Sequence, residues 1–65
     1  MEIILNGISY TTLSENLYGL ICEKKLEPSG VIVEMNGRIV RKGRWEEEKI
    51  SEGDKIEILN FVGGG

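Results

Sequence analysis

The sequence predicts an α+β domain in which one helix packs on one face of a mixed sheet of four to five strands. Two features predict this class: apolar segments followed by Asn-Gly pairs at positions 6–7 and 36–37, and one helical apolar stripe between them. An Asn-Gly pair is the strongest short hairpin signal because both turn positions need positive φ. A length of 65 residues allows one such domain with a small core.

The first half of the chain predicts a hairpin and then the helix. The strands of the hairpin are Glu2–Leu5 and Ile8–Thr12, on either side of the first Asn-Gly pair. Thr12 and Glu15 have the spacing of a capping box, in which the threonine accepts from the amide of Glu15 and the glutamate reaches back. The apolar stripe of the helix consists of Leu13, Leu17, Leu20 and Ile21.

The second half of the chain predicts three more strands. Val31–Met35 and Arg38–Val40 flank the second Asn-Gly pair and form a second hairpin. The charged segment 41–49 is expected to form a short helical turn or an irregular crossover, and a turn at 51–54 precedes the last strand, Lys55–Leu59. Together with the helix stripe, the predicted core consists of Ile3, Leu5, Val33, Ile56 and Ile58.

Composition excludes several classes of function. The chain has 11 acidic and 8 basic residues, a net charge of −3, no histidine and one cysteine. This charge argues against non-specific nucleic-acid binding, and no apolar run approaches the roughly 18 residues of a membrane span. The usual zinc ligand sets and nucleophile–histidine pairs are missing from the sequence. Composition therefore indicates a carrier, a binding module or a subunit, in a reducing, cytoplasmic compartment.

The C-terminal sequence, Phe-Val-Gly-Gly-Gly at positions 61–65, is the candidate chemical site. We expect a folded domain over residues 1–60 and a flexible tail after it. Without Cβ atoms, Gly63 and Gly64 can thread a narrow channel in a partner, and Gly65 presents its α-carboxylate. A carboxylate can attack the α-phosphate of a nucleotide, and a sulfur nucleophile can then replace AMP to leave a thiocarboxylate. The alternative is a frayed end without function.

A docking surface on the body is expected to support the tail. Ordering three glycines in a channel costs about 3–6 kcal/mol, and they have no side chains to recover it. Strand alternation points several apolar side chains away from the core, and they form the predicted partner-binding patch: Ile4, Ile32, Leu59, Phe61 and Val62. The alternative is that isolated apolar side chains are ordinary on protein surfaces.

Four segments, in their order along the chain, resemble the ThiS family, the sulfur carrier proteins of bacterial thiamine biosynthesis. They are Ile4–Gly7, Val31–Asn36, Glu52–Asp54 and Phe61–Gly65, and they span essentially the whole chain. The resemblance implies a ubiquitin-like β-grasp fold. It also implies that an E1-like (ThiF-type) adenylyltransferase adenylates Gly65 with ATP and that sulfur comes from cysteine through a desulfurase. The thiocarboxylate then donates sulfur to a ThiG-type thiazole synthase for the thiamine thiazole ring.

The resemblance further implies a carrier that has no catalytic side chains of its own and binds neither a metal nor a cofactor, since the activating partner uses the ATP. The nearest alternative is the small subunit of molybdopterin synthase, or a related ubiquitin-like sulfur carrier, which shares the fold, the tail and the activation chemistry. Those proteins tend to be longer and lack the Asn-Gly start combined with the Phe-Val-Gly ending. A passive β-grasp interaction module is the other alternative.

Three further features have a structural interpretation. Trp45 is expected to be a satellite core residue that pins the crossover, with a partner anchor as the alternative. Cys22 lies opposite the helix stripe and is expected to be partly exposed and inert. The basic residues between 38 and 44, followed by Glu46–Glu48, are expected to be solvated surface.

Overall fold

The computed structural model describes residues 1–61, which form one five-stranded mixed sheet with one α-helix on one face. The strands are β1 (Glu2–Leu5), β2 (Ile8–Thr11), β3 (Val31–Met35), β4 (Arg38–Val40) and β5 (Lys55–Asn60). Their order across the sheet is β2-β1-β5-β3-β4; β5 runs parallel to β1 and antiparallel to β3. The predicted α+β class is confirmed, and the last strand of the chain is the central strand of the sheet.

Both predicted hairpins are confirmed, and each turns on its Asn-Gly pair. Asn6 and Gly7 have φ values of 50° and 82°, and Asn36 and Gly37 have values of 53° and 87°. Consecutive positive φ angles give the turn a twist that matches the flanking strands, and asparagine and glycine tolerate this conformation best.

The helix, α1 (Leu17–Glu23), begins later than predicted, and the capping box of Thr12 and Glu15 is wrong. The N-cap residue is Asn16, whose Oδ1 accepts a hydrogen bond from the amide of Gly19 at 2.7 Å. The Thr12 hydroxyl instead accepts from the amide of Ser14 at 3.0 Å, which closes a local turn outside the helix.

Backbone pairing with the crossover explains the late start of α1. The amide of Ile50 donates to the carbonyl of Glu15 at 2.9 Å, and the amide of Leu17 donates to the carbonyl of Glu48 at 3.0 Å. Glu15 and Leu17 are therefore paired with a segment that is distant in sequence, and Asn16 between them forms an antiparallel bridge with Lys49. Leu13 lies before these residues, outside the helix, and is 93% exposed, so its assignment to the apolar stripe is also wrong.

The core lies between α1 and the inner face of the sheet. Its predicted members Ile3, Leu5, Val33 and Ile56 are buried, and Ile58 is half-buried and packs against them. From the helix, the predicted Leu17, Leu20 and Ile21 are buried. The structure adds four residues that the predicted core did not include: Val31, Met35, Val40 and Ile50.

Trp45 is buried, as predicted, but it belongs to the main core rather than to a satellite cluster, and its burial excludes the partner anchor. Its side chain is 1% exposed, and Nε1–H donates to the carbonyl of Val40 at 2.9 Å. Its carbonyl accepts from the amide of Tyr18 in the first turn of α1 at 3.2 Å. The crossover contains the predicted short helical turn, at Lys42–Arg44. Trp45 thus links the end of β4 to the start of the helix.

The charged blocks and the cysteine lie at the surface, as predicted. Arg38 forms an ion pair with Glu48 at 2.9 Å, and Arg44 forms one with Glu47 at 3.4 Å, so the basic and acidic blocks partly neutralise each other. Cys22 is exposed. Within residues 1–61, no helix is long and apolar enough to cross a membrane.

A cluster of three hydroxyl groups joins the first hairpin to the end of α1. The carboxylate of Glu23, the last residue of α1, accepts from Tyr10 Oη at 2.5 Å, from Thr12 Oγ1 at 2.6 Å and from Ser14 Oγ at 2.7 Å. The hydrogen bonds from Thr12 and Tyr10 hold the pKa of Glu23 below its ordinary value, because they stabilise the charged form. The cluster therefore depends on an ionised Glu23.

Glu23→Gln is expected to lower the free energy of unfolding by about 1 kcal/mol at neutral pH, a modest value because the carboxylate is exposed. The unfolded chain binds a proton at higher pH than the folded chain does. This contribution is therefore complete above the unfolded pKa and is lost as the pH falls through the folded pKa. Urea unfolding at about pH 7 and about pH 3 should show the difference between wild type and variant shrinking with acid.

Glu15→Gln removes the same charge from a nearby exposed position and serves as the control. If its stability difference from wild type follows the same course with pH as that of Glu23→Gln, the hydroxyl cluster is not the cause.

Candidate functional site

The central strand β5 leads directly to the candidate site at the C-terminus. After Asn60, the amide of Phe61 donates to the carbonyl of Gly30 at 2.9 Å, which continues the pairing of β5 with β3 by one more residue. The sheet therefore holds the chain up to Phe61, four positions before Gly65. The predicted site residues Val62, Gly63, Gly64 and Gly65 lie outside the described residues.

Several apolar side chains near Phe61, where the chain leaves the sheet, are exposed. They lie on the face of the sheet that α1 does not cover. Ile32 and Leu59 are directly paired across β3 and β5, and alternation along β5 points Phe61 to the same face. Ile39 faces the same way because Val40 beside it is buried. These side chains are 43–66% exposed, and together they form the outer apolar patch: Ile32, Ile39, Leu59 and Phe61.

The structure separates one predicted patch residue from the others and adds one. Ile4 is half-buried and pairs with Lys55 at the opposite end of β5 from Phe61. The sequence analysis did not include Ile39. Its exposure follows from strand alternation, because its neighbour Val40 is buried in the core.

Two carboxylates border the outer apolar patch. Glu34 and Glu57 are directly opposite each other on β3 and β5, two residues along each strand from the Ile32–Leu59 pair and therefore on the same face of the sheet. They line an open depression together with Ile32, Leu59 and the side of Asn6. Like charges in directly opposed positions are destabilising, so a cation placed between them would relieve repulsion. The face is therefore suited to a surface that combines apolar and basic side chains.

The described residues offer no centre for catalysis by metal ions: no group of three or more histidine, cysteine, aspartate or glutamate side chains is arranged to hold one. Local contacts explain why the pKa values of two tyrosines are raised. Donation to the Glu23 carboxylate raises the pKa of Tyr10, and the neighbouring Cys22 thiol raises the pKa of Tyr18. The candidate chemical site remains the C-terminal sequence, and the outer apolar patch includes Phe61, four positions before Gly65.

Comparison with known proteins agrees with this arrangement. Residues 3–65 match the model of the ThiS family. The sulfur carrier protein ThiS of Bacillus subtilis is 38% identical over 63 residues, which cover 94% of this chain and 96% of that protein. The crystal structure of the thiamine biosynthesis protein ThiS from Geobacter metallireducens superposes with a TM-score of 0.84 at 29% identity, covering all of both chains.

A third relative is much longer. The thiazole synthase of Paramagnetospirillum magneticum is 33% identical over 66 residues, which cover this whole chain but 20% of that enzyme. The match to Geobacter ThiS confirms the β-grasp fold that the resemblance implied, and the family match runs to the last glycine. The chain therefore belongs to the ThiS family of ubiquitin-like sulfur carrier proteins.

Proposed function

We propose that the carboxylate of Gly65 is the sulfur-carrying group of this ThiS-family carrier of thiamine biosynthesis. The observation that carries the proposal is the position of the terminal glycines. In the sequence, Gly63 stands three positions after Asn60, the last residue of the central strand, and the family match extends to residue 65. In this proposal, residues 1–60 form the body and residues 61–65 are the segment delivered to partner enzymes.

The chemistry proceeds in two displacements. The Gly65 carboxylate attacks the α-phosphate of ATP, pyrophosphate leaves, and an acyl-adenylate forms. A hydrosulfide equivalent then attacks the acyl carbon, and AMP leaves with its electron pair, so that the C-terminus becomes a thiocarboxylate. The chain has no histidine, which supports a carrier that relies on its partners for general acid–base catalysis. ATP is bound and used by the activating partner.

Three partners are required by this scheme. An E1-like (ThiF-type) adenylyltransferase forms the acyl-adenylate. A cysteine desulfurase supplies the sulfur as an enzyme persulfide, from which a thiol reductant releases the hydrosulfide equivalent and is itself oxidised to a disulfide. A ThiG-type thiazole synthase receives it, and here the similarity to longer thiazole synthases gives support, because a segment like this chain belongs to those enzymes. That similarity favours the thiamine role over molybdopterin synthase. The partners and the lone cysteine support a reducing, cytoplasmic setting.

Geometry limits where the partner's active site can lie. Four residues separate Phe61 from the terminal carboxylate, and an extended chain spans about 3.3–3.6 Å per residue. The reacting carboxylate therefore lies within about 13–14 Å of the point where the sheet releases the chain. Gly63 and Gly64 pass through the narrowest part of the channel, where a Cβ atom would meet the wall. The outer apolar patch docks beside the channel mouth.

The test is intact mass spectrometry of the chain after incubation with its adenylyltransferase, ATP, a desulfurase with cysteine, and a thiol reductant. We expect a mass gain equal to the difference between sulfur and oxygen, located by fragmentation at Gly65. Omission of ATP is the matched control and should leave the mass unchanged. An unchanged mass with enzymes that activate an established ThiS protein in parallel would contradict the proposal.

Leu59→Glu is expected to weaken partner binding by about 30-fold, since burying a charge at a central apolar contact costs about 2 kcal/mol or more. Stability should change little because Leu59 is 64% exposed. Isothermal titration with the adenylyltransferase and the thiazole synthase measures the dissociation constants, and thermal unfolding measures the stability.

Ile8→Glu is the matched control, because Ile8 is 71% exposed but lies on the edge strand β2, away from the outer apolar patch. Equal weakening by both variants would show that net charge, rather than the patch, governs docking. Phe61→Ala should weaken binding in the same direction as Leu59→Glu.

A further inference from the structure

The side chain of Asn6 continues the contact between β1 and β5 after the main chain of β1 has turned away. The amides of Ile4 and Asn6 donate to the carbonyls of Asp54 and Ile56, both at 2.9 Å. The next residue of β5 in this series is Ile58. Its amide donates to Asn6 Oδ1 at 2.7 Å, and its carbonyl accepts from Asn6 Nδ2 at 3.3 Å.

The hairpin explains why a side chain, rather than the main chain of β1, bonds to Ile58. The chain reverses at Asn6 and Gly7, so β1 has no further peptide group to offer to β5. A primary amide carries the same acceptor and donor as a peptide group, and a strand backbone group without a partner is costly. The Asn6 side chain thus takes the place of the next peptide of β1, and it holds Ile58 at both of its backbone groups.

This contact lies where it can affect the C-terminal sequence. Ile58 is three positions before Phe61, where the sheet releases the chain. On the other side, β3 holds the same stretch through the pairing of Val31 with Asn60 and the bond from Phe61 to Gly30. The end of β5 is therefore held on both sides, by β3 on one side and by the side chain of Asn6 on the other.

We propose that Asn6 is a positioning residue for the carrier reaction. By holding Ile58, it fixes the direction in which β5 presents the C-terminal sequence to the activating enzyme. This inference rests on the proposed function, since it concerns delivery of the Gly65 carboxylate. Asn6 acts through β5 and takes no part in the chemistry.

The second hairpin provides a matched control. Asn36 has nearly the same positive φ as Asn6, and its side chain also bonds to β5. Its Oδ1 accepts from the amide of Lys55 at 2.9 Å, and its Nδ2 donates to Asp54 Oδ1 at 3.1 Å. These bonds hold the start of β5, at the end of the strand opposite Phe61. Loss of the Asn36 side chain thus removes similar bonds but leaves the end of β5 near Phe61 held in place.

The experiment compares Asn6→Gly with Asn36→Gly. Glycine accepts positive φ, so both turns are retained while the side-chain amide is removed. Hydrogen exchange is followed at the Phe61 amide, and pyrophosphate release with the adenylyltransferase gives kcat and KM. For Asn6→Gly we expect about tenfold faster exchange at Phe61, relative to core amides, and about tenfold lower kcat with KM within about twofold. For Asn36→Gly we expect kcat within about twofold of wild type.

Asn6→Asp tests rescue, because the aspartate keeps an acceptor for the Ile58 amide but lacks the donor for its carbonyl. It should recover part of the lost kcat. Equal kcat values and equal Phe61 exchange in Asn6→Gly and Asn36→Gly would overturn the positioning role. If the wild-type chain is not adenylated at all, the proposed function fails instead. The exchange data then test only whether Asn6 anchors β5. Loss of exchange protection confined to the end of β5 supports the anchoring, and uniform loss across the domain overturns it.

Discussion

Deletion of Gly64 and Gly65 is expected to abolish sulfur transfer while the body stays folded. The deletion moves the terminal carboxylate back by about 7 Å, at about 3.3–3.6 Å per residue. Since a misplacement of about 1 Å at a reacting centre can cost about 100-fold in rate, we expect a loss of more than 100-fold. Thiocarboxylate formation is measured by intact mass, and the midpoint of thermal unfolding should stay within about 3 °C of wild type.

A chain with a carboxamide at Gly65 separates the chemistry from the length of the tail. This semisynthetic variant has every residue of the natural sequence, but its terminus is not an ionised carboxylate and cannot attack a phosphate. We expect it to bind the adenylyltransferase with normal affinity and to form no adenylate. A deleted or amidated chain that still forms substantial thiocarboxylate would place the reactive group elsewhere. A passive interaction module, by contrast, would tolerate both changes.

Local signals in the sequence were sufficient to predict both hairpins. In each hairpin, the conformation of the turn depends on two adjacent residues, and the structure shows the positive φ angles that Asn6, Gly7, Asn36 and Gly37 favour. The face of each strand then follows from alternation. This is why Ile32 and Leu59 were correctly predicted to be exposed and Val33 and Ile56 to be buried.

The start of the helix could not be predicted in the same way. Thr12 and Glu15 have good local spacing for a capping box, but the decisive contacts join Glu15 and Leu17 to Ile50 and Glu48, more than 30 positions away. Such pairing outweighs a local cap worth about 1 kcal/mol. Long-range contacts also explain why the side-chain bonds of Asn6 to Ile58 had no signal in the sequence.

The candidate site was predictable to different degrees. The three glycines at positions 63–65 could be recognised as a candidate site from the sequence alone. They have no side chains, so only their main-chain groups can act there. The composition of the outer apolar patch was less evident. Ile39 joins the outer apolar patch because β4 pairs beside β3, and Ile4 lies apart because it pairs with Lys55. Both outcomes depend on strand order, which alternation within one strand does not specify.

Trp45→Ala is expected to remove a large part of the free energy of unfolding of the domain. Replacing a buried aromatic residue by alanine costs about 3–5 kcal/mol, and a domain of this size has a total stability of about 3–10 kcal/mol. At about 4–8 °C per kcal/mol, the unfolding midpoint should fall by at least about 12 °C. Urea unfolding followed by far-ultraviolet circular dichroism is the measurement, because the substitution removes the single tryptophan that fluorescence would report.

Trp45→Phe is the control that separates the ring from its hydrogen bond. Phenylalanine retains much of the buried apolar surface but leaves the carbonyl of Val40 without the donor that lies 2.9 Å away. We expect this variant to lose about 1 kcal/mol, the net contribution of one hydrogen bond. A loss below about 1 kcal/mol for Trp45→Ala would contradict the buried position of the side chain.

The functional readout of the Trp45 variants distinguishes stability from docking. Because Trp45 is 1% exposed, its loss should reduce sulfur transfer in proportion to the fraction of folded chain and leave the rate per folded molecule unchanged. A Leu59→Glu chain should show the reverse, with full folding and impaired transfer at low partner concentration. If Trp45→Phe, measured where it is fully folded, also impairs transfer, then the link from β4 to α1 influences the outer apolar patch, and the body acts on delivery through more than its stability.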